Sequence, residues 1–310
     1  MQASLHSIAD QKLERLHQKR FLGLRETPPF VLAYSREKAV ASKQESRSPG
    51  YDKKALLLSR EQKSSCKCDY NGEALKITAR HYSQVQLQSA LKKFQQALAK
   101  AQANNDCVSQ VNILKHIGLF HCHLGQYAWG VKCLEQALQI AKKIGLRATE
   151  GVILNYMGLA YRQTGQHNKA LNVYVQSLAI FKAIANVAGI ARTLNDIGET
   201  YNNLGQSERA IFCCRQALKL FQNLGYLPEG EGTALHNIGE AYLQLGRPRQ
   251  ALALLEQALV IRQKNNACCN SQSTTLESIG TAYVRVNQDL QALKFFSQAL
   301  ELRRQVGHSA

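Results

Sequence analysis

A short motif that recurs five times constrains the fold of this chain more than any other feature. An apolar residue followed by glycine recurs at an almost constant interval, at Gly118, Gly158, Gly198, Gly239 and Gly280. Each glycine has a leucine four residues before it and, in all copies but the first, a tyrosine three residues after it. A glycine or alanine lies twelve residues after it, and an alanine or serine nineteen residues after it. Such a regular period is the signature of a repeat architecture in which each copy is one supersecondary unit.

The spacing inside each copy predicts two amphipathic helices, because residues three, four and seven positions apart share one stripe of an α-helix. A turn is predicted between the two helices. It contains glycine or asparagine, the residues that most easily adopt the left-handed conformation that ends a helix. These turn residues are Gly125, Gly165, Gly205, Gly246 and Asn287. One helix pair cannot bury its apolar face alone, so the copies are expected to stack.

The pattern Leu-x-x-Ile-Gly-x-x-Tyr, with spaced small and large residues in the second helix, resembles the tetratricopeptide repeat family. The copies are longer than the usual unit of that family and resemble those of kinesin light chain, Leu-Gly-Asn-repeat proteins and bacterial regulators. The resemblance implies an all-α, right-handed superhelical solenoid of stacked antiparallel helix pairs. A degenerate unit at 71–104 is expected to precede five units, at 111–145, 151–185, 191–225, 232–264 and 273–307.

The beginning of the chain, at 1–70, lacks this pattern. Pro28-Pro29, Ser48-Pro49-Gly50 and scattered basic residues predict a flexible basic segment. A short helix over 5–21 is also predicted, and whether it docks onto the solenoid is left open. The expected organisation is a segment at 1–70 followed by a solenoid at 71–310.

The resemblance places a binding groove on the first helix of each unit. In the family, the positions three and two before the glycine, and one and four after it, are exposed on the concave side. Transferred to this sequence, with Arg192 as a neighbouring basic residue, the candidate peptide-binding or partner-binding residues are Lys115, His116, Asn155, Tyr156, Arg162, Arg192, Asn195, Asp196, Glu199, Asn202, His236, Asn237, Glu240 and Glu277.

Two asparagines give this groove its most specific feature. Asn155 and Asn195 occupy the same slot in adjacent units, and each amide offers a donor and an acceptor to the backbone of an extended peptide. The alternative is that they are ordinary polar residues on a water-facing helix surface. The lining is basic around Lys115 and Arg162 and acidic around Glu199, which favours a peptide of mixed charge. A chaperone-tail receptor is not predicted, because the asparagine expected four residues after Lys115 is a leucine.

The formal net charge of +17 is spread along the chain, with +6 in residues 1–70 and +11 in residues 71–310. Many of the basic residues lie near the ends of second helices, where cations complement the helix dipole: Lys142, Lys143, Lys182, Lys219, Arg262, Lys264, Arg303 and Arg304. Stacking is expected to align them as a basic ridge. The ridge either stabilises helix ends or binds an acidic protein or nucleic acid. No nucleic-acid motif supports the last reading, so a nucleic-acid partner is not predicted.

The last unit raises a separate expectation. No further polar helix follows it in the sequence to cap the stack. If Leu293, Phe296 and Leu300 lack a neighbour, an apolar patch remains there, which favours a homo-oligomer or another partner. Alternatively, the helix covers itself or the tail folds back.

No catalytic, metal or cofactor site is predicted. His121 and His123 point to different sides of one helix, so they cannot share a metal ion, and Cys66 and Cys68 have no second ligand pair nearby. No phosphate-binding loop, nucleophile elbow or kinase signature occurs. Nine scattered cysteines and the absence of an apolar span or secretory signal favour a cytoplasmic protein.

These features predict a non-enzymatic scaffold or adaptor that binds an extended segment of another protein in its groove. The alternative is a regulator that responds to a peptide signal or contacts nucleic acid through its basic surface. Fold alone does not separate the two, because one repeat architecture serves many pathways.

Overall fold

The computed structural model describes residues 84–308, except 266 and 268, and their side chains from Ser89 to Gln305. The segment predicted at 1–70, its helix at 5–21, Cys66 and Cys68, and the first helix of the degenerate unit lie outside the described residues. The described residues belong to one compact unit. Their regular elements are all α-helices: α1 (Gln84–Ala103), α2 (Cys107–His123), α3 (Tyr127–Lys143), α4 (Arg147–Gln163), α5 (His167–Ala183), α6 (Val187–Asn203), α7 (Ser207–Leu224), α8 (Pro228–Gln244), α9 (Pro248–Lys264), α10 (Cys269–Arg285) and α11 (Asp289–His308).

The helices from α2 onward form five antiparallel pairs, and α1, predicted as the second helix of a degenerate unit, packs on the first of them. Units one to five are the pairs α2/α3, α4/α5, α6/α7, α8/α9 and α10/α11. Each first helix begins four residues before the unit limit predicted from the repeat. The reason is that the first helical turn precedes the repeated leucine and carries no recurring residue.

The turn inside each unit has the conformation that its sequence predicts. The residues at these turns have positive φ, from 60° at Asn287 to 74° at Gly125 and Gly165. In unit one, Gly125 N–H donates to the carbonyl of Cys122 and Gln126 N–H to that of His121, which is the hydrogen-bond pair of a Schellman motif. The other four turns repeat it. The turn prediction is therefore confirmed.

The repeated glycine lies where the two helices of a unit cross. A Cβ atom placed on Gly158 would lie 2.6 Å from Cζ of Tyr174, whose side chain is fully buried in α5. The equivalent glycines meet the residue sixteen positions later in the same way, for example Leu255 opposite Gly239. The glycine thus lets the two backbones approach while a large side chain fills the space beside it.

Successive units are joined by clusters of buried apolar residues. One cluster joins Leu134 of unit one to Ile153 and Met157 of unit two. Another joins Cys214 of unit three to Leu255 of unit four and Ile279 of unit five. This sharing satisfies the requirement that each unit bury its apolar face against a neighbour. No helix among the described residues is both long and apolar enough to cross a membrane.

Candidate functional site: the face of the first helices

The first helices lie side by side along one side of the stack. Each of α2, α4, α6 and α8 contacts the next first helix directly, whereas each second helix of units one to four contacts the first helices on either side of it. We call the surface of α2, α4, α6, α8 and α10 that turns away from the second helices the groove face. It contains the slots from which the candidate binding residues were predicted.

The structure places the fourteen predicted side chains at three depths. Five are buried, with exposed fractions of 5% to 8%: Arg162, Asn195, Asn202, His236 and Asn237. Eight are half-buried: Lys115, Asn155, Tyr156, Arg192, Asp196, Glu199, Glu240 and Glu277. Of the fourteen, only His116 is exposed. The expectation that all these slots are exposed is wrong for the five buried residues, because the neighbouring first helix packs over them.

Asn155 and Asn195 each accept a hydrogen bond from the next first helix. The Oδ1 atom of Asn155 accepts a hydrogen bond from the Thr193 hydroxyl at 3.1 Å. The Oδ1 atom of Asn195 accepts one from Nδ2 of Asn237, also at 3.1 Å. In both residues the carbonyl oxygen ties two units together and the NH₂ group is left as a free donor. Asn195 is only 6% exposed, so its NH₂ group has little contact with solvent.

Asn202 and Asn237 serve mainly to join α6 to α8. Nδ2 of Asn202 donates to the backbone carbonyl of Asn237 at 2.8 Å. Gln244 extends this link by donating to the carbonyl of Asn202 at 3.2 Å and accepting from Ser207 at 2.7 Å. These contacts explain why the two asparagines are buried, and they use the NH₂ groups of both within the protein. Of the four asparagines, Asn155 is the most accessible one, because it is half-buried.

A charged cluster joins α4, α5 and α6. The buried Arg162 guanidinium forms an ion pair with Glu199. Burial alone would lower the pKa of Arg162, but Glu199, Tyr174 and Asp196 raise it overall. Arg162 and Glu199 therefore neutralise each other across units two and three. The predicted separation of a basic end from an acidic end is wrong at these two residues.

Asp196 is the titratable member of this cluster. Burial raises its pKa to about 7, and Glu199 acts in the same direction, while Arg162 and Arg192 oppose the rise. The carboxyl therefore exchanges its proton near neutral pH, whereas the pKa in the unfolded chain is the ordinary value of 3.8.

This shift predicts a pH-dependent stability difference between the wild type and Asp196→Asn. Because the folded-state pKa is raised, the contribution of Asp196 to stability is fully present below pH 3.8 and is lost as pH rises through about 7. Asp196→Asn removes this loss. Between pH 5 and pH 8, the free energy of unfolding of the variant should therefore rise by about 2 kcal/mol relative to that of the wild type. Urea unfolding across this range tests the prediction, with Asp289→Asn as a control at the exposed start of α11. A difference that does not vary with pH would refute it.

The histidines of the groove face are not positioned as cations. Burial lowers the pKa of His236 to about 3, and the charge of Arg262 adds to this effect. Partial burial, and then the neighbouring Lys115, also lower the pKa of His116. Of the remaining candidates, Glu277 pairs with Arg303 at 2.8 Å on the surface. Among the described residues, no three His, Cys, Asp or Glu side chains converge on a possible metal position.

The amino-acid pattern and this geometry agree with a comparison to known families. A model described as a tetratricopeptide repeat matches residues 109–183, which correspond to α2 to α5, and residues 189–264, which correspond to α6 to α9. This chain belongs to the tetratricopeptide repeat family.

Solved tetratricopeptide-like structures superimpose on much of the chain. BtubC (BKLC) from P. vanneervenii has a TM-score of 0.61 and 19% identity, covering 71% of this chain and 92% of that one. A putative kinesin light chain with nearly identical TPR-like repeats from Podosopora anserina has a TM-score of 0.50 and 19% identity, covering 63% and 96%. The Rap conjugation gene regulator of the plasmid pLS20, in complex with the Phr* peptide, has a TM-score of 0.58 and 17% identity, covering 66% and 56%. At these identities the likeness shows the fold alone. No curated protein matches the sequence significantly.

One of the eight residues that were predicted to form a basic ridge on this tetratricopeptide repeat protein is not exposed. Lys142, Lys143, Lys182, Lys219, Lys264, Arg303 and Arg304 are exposed. Arg262 is instead buried, at 3% exposure, where it donates to the carbonyl of Ser271 at 2.7 Å and to Thr275. It joins α9 to α10 and is not available to a partner.

Two residues that matter for the groove face were not predicted as site residues. Thr193 orients Asn155, and Tyr174 lies against Arg162 in the charged cluster. Tyr174 was assigned only as a core residue of the repeat, and Thr193 lies five residues before the glycine, outside the transferred slots. Their roles depend on contacts between units, which the pattern inside one unit does not contain.

Proposed function

We propose that this chain is a peptide-binding scaffold whose groove face holds an extended segment of another protein. The observation that carries the proposal is that the carbonyl oxygens of Asn155 and Asn195 are both held by the next first helix, which leaves both NH₂ groups as donors. Lys115, in the same slot of unit one, adds a third donor. A row of donors is suited to the backbone carbonyl oxygens of a peptide.

The spacing of these donors suits an extended chain. First helices in direct contact lie about 10 Å apart, a distance that about three residues of an extended peptide span. A peptide lying across α2, α4 and α6 could therefore offer every third carbonyl to successive units. The half-buried Tyr156 and Glu240 lie on the same face and would contact its side chains.

Binding to a peptide library tests this function. Dodecapeptides selected on the wild type by phage display would be labelled and titrated against Asn155→Ala/Asn195→Ala. Loss of two hydrogen bonds of about 1 kcal/mol each should weaken binding about 30-fold. Asn168→Ala, at an exposed position of α5, is the matched control and should bind like the wild type.

Two outcomes would refute the proposal. In the first, the double variant, shown by circular dichroism to be folded, binds the selected peptides as tightly as Asn168→Ala. In the second, the wild type selects no peptide above background.

A further inference from the structure

Some apolar positions that are buried in unit four are exposed in unit five. Val284 is 46% exposed, whereas Leu243, its equivalent in unit four, is 3% exposed. Leu300 is 51% exposed, whereas its equivalent Leu259 is 9% exposed. In unit four these positions pack against α10 and α11 within the shared core. The same positions of unit five therefore form an apolar face without a neighbour among the described residues.

One residue near this face departs from the repeat. Leu290 is 85% exposed. Its equivalents in units one to four are also exposed but are small or polar: Ala128, Asn168, Glu208 and Arg249. The fold therefore does not require an apolar side chain at this position. At this position a large apolar side chain occurs in α11 alone, where it adds to the exposed apolar surface of unit five.

The exposed leucines form one stripe along α11. Leu290, Leu293 and Leu300 lie on one side of the helix with Ser297 between them, at intervals of three, four and three residues. Ser297 is small, and its hydroxyl donates to the carbonyl of Leu293 at 2.8 Å, so it brings no unpaired polar group to the stripe. Such a stripe is the seam that a second helix packs against in a helix pair.

We propose that this stripe packs against the same stripe of a second copy of the chain, with the two α11 helices antiparallel across a two-fold axis. Two-fold pairing of identical surfaces is the commonest way in which soluble proteins form oligomers. This inference does not depend on peptide binding at the groove face.

The charges beside the stripe favour a second copy over an unrelated partner. Lys294 and Glu301 are exposed on the same edge of the stripe, seven residues apart, and neither forms an ion pair within the described residues. If Leu293 lies opposite Leu300 of the second copy, Lys294 comes within about 3 Å, measured along the helix, of Glu301 of that copy. The two-fold axis repeats this pair, so two identical α11 helices have complementary charges where they meet.

Light scattering on the full chain tests the proposal. The wild type should have about twice the chain mass of 34.5 kDa. Leu293→Glu/Leu300→Glu should be monomeric at the same concentration, while Val260→Glu, at an exposed apolar position of α9, should remain dimeric. Lys294→Glu and Glu301→Lys should each weaken the dimer at least about tenfold, because like charges then face each other twice. The combined reversal should restore it.

Several results would overturn the inference. A wild type that is monomeric at every concentration would do so, as would a dimer that survives Leu293→Glu/Leu300→Glu with folding confirmed by circular dichroism. The antiparallel pairing of two copies would be excluded if the combined variant Lys294→Glu/Glu301→Lys formed the dimer no more tightly than each single variant.

Discussion

Gly158→Ala should destabilise the protein by about 2–3 kcal/mol. The added Cβ would overlap the ring of Tyr174, which is fully buried in the core. Overpacking of this kind typically costs about 1–3 kcal/mol even after the surroundings relax. The gain in helix propensity from alanine, up to about 1 kcal/mol, is too small to offset the displacement of a core tyrosine. Urea unfolding followed by circular dichroism measures the loss.

Gly232→Ala is the matched control, because it also places alanine at a helical glycine that is buried. Its Cβ would lie 3.3 Å from Cγ of Arg262, so that this atom need move only by a few tenths of an ångström. Its effect should stay within about 1 kcal/mol of zero. Equal losses in the two variants would show that the glycine is required for a reason other than the helix crossing.

The contrast between these glycines shows why so much of the fold could be predicted from the sequence. The crossing at Gly158, the turn at Gly165 and the stripe containing Tyr174 all recur in phase from one unit to the next. Each is a local requirement that every unit must meet with its own residues. The tetratricopeptide solenoid was therefore predictable from the repeat alone.

The depth of the groove residues could not be predicted in the same way. Asn195 and Asn155 share a slot, yet Asn195 is buried because Asn237, 42 residues later, donates to it. Asn155 is less covered because Thr193, not an asparagine, lies against it. These differences arise from side chains that vary between units, and a transferred slot cannot show which neighbour fills it.

The charged cluster gives the second large effect. Glu199→Ala should destabilise the protein by about 2 kcal/mol, whereas Arg162→Met should cost about 1 kcal/mol or less. The asymmetry follows from burial, because the Arg162 side chain is 7% exposed and that of Glu199 is 32% exposed. Without Glu199, a buried guanidinium loses its main counter-charge, which is the costly way to break a buried pair. Without Arg162, the carboxylate can be hydrated by solvent.

The double variant Arg162→Met/Glu199→Ala should lose little more than Arg162→Met alone, because no buried charge is then left unpaired. The pair of Arg303 with Glu277 is the matched control, since its glutamate is about as exposed as Glu199, at 36%, while its arginine is 52% exposed and not buried. Glu277→Ala should therefore cost less than about 1 kcal/mol. Additive losses in the Arg162 and Glu199 cycle would mean that the two residues act independently. A strong coupling would instead identify this pair as the clamp that keeps α4 and α6, and with them Asn155 and Asn195, at a fixed spacing on the groove face.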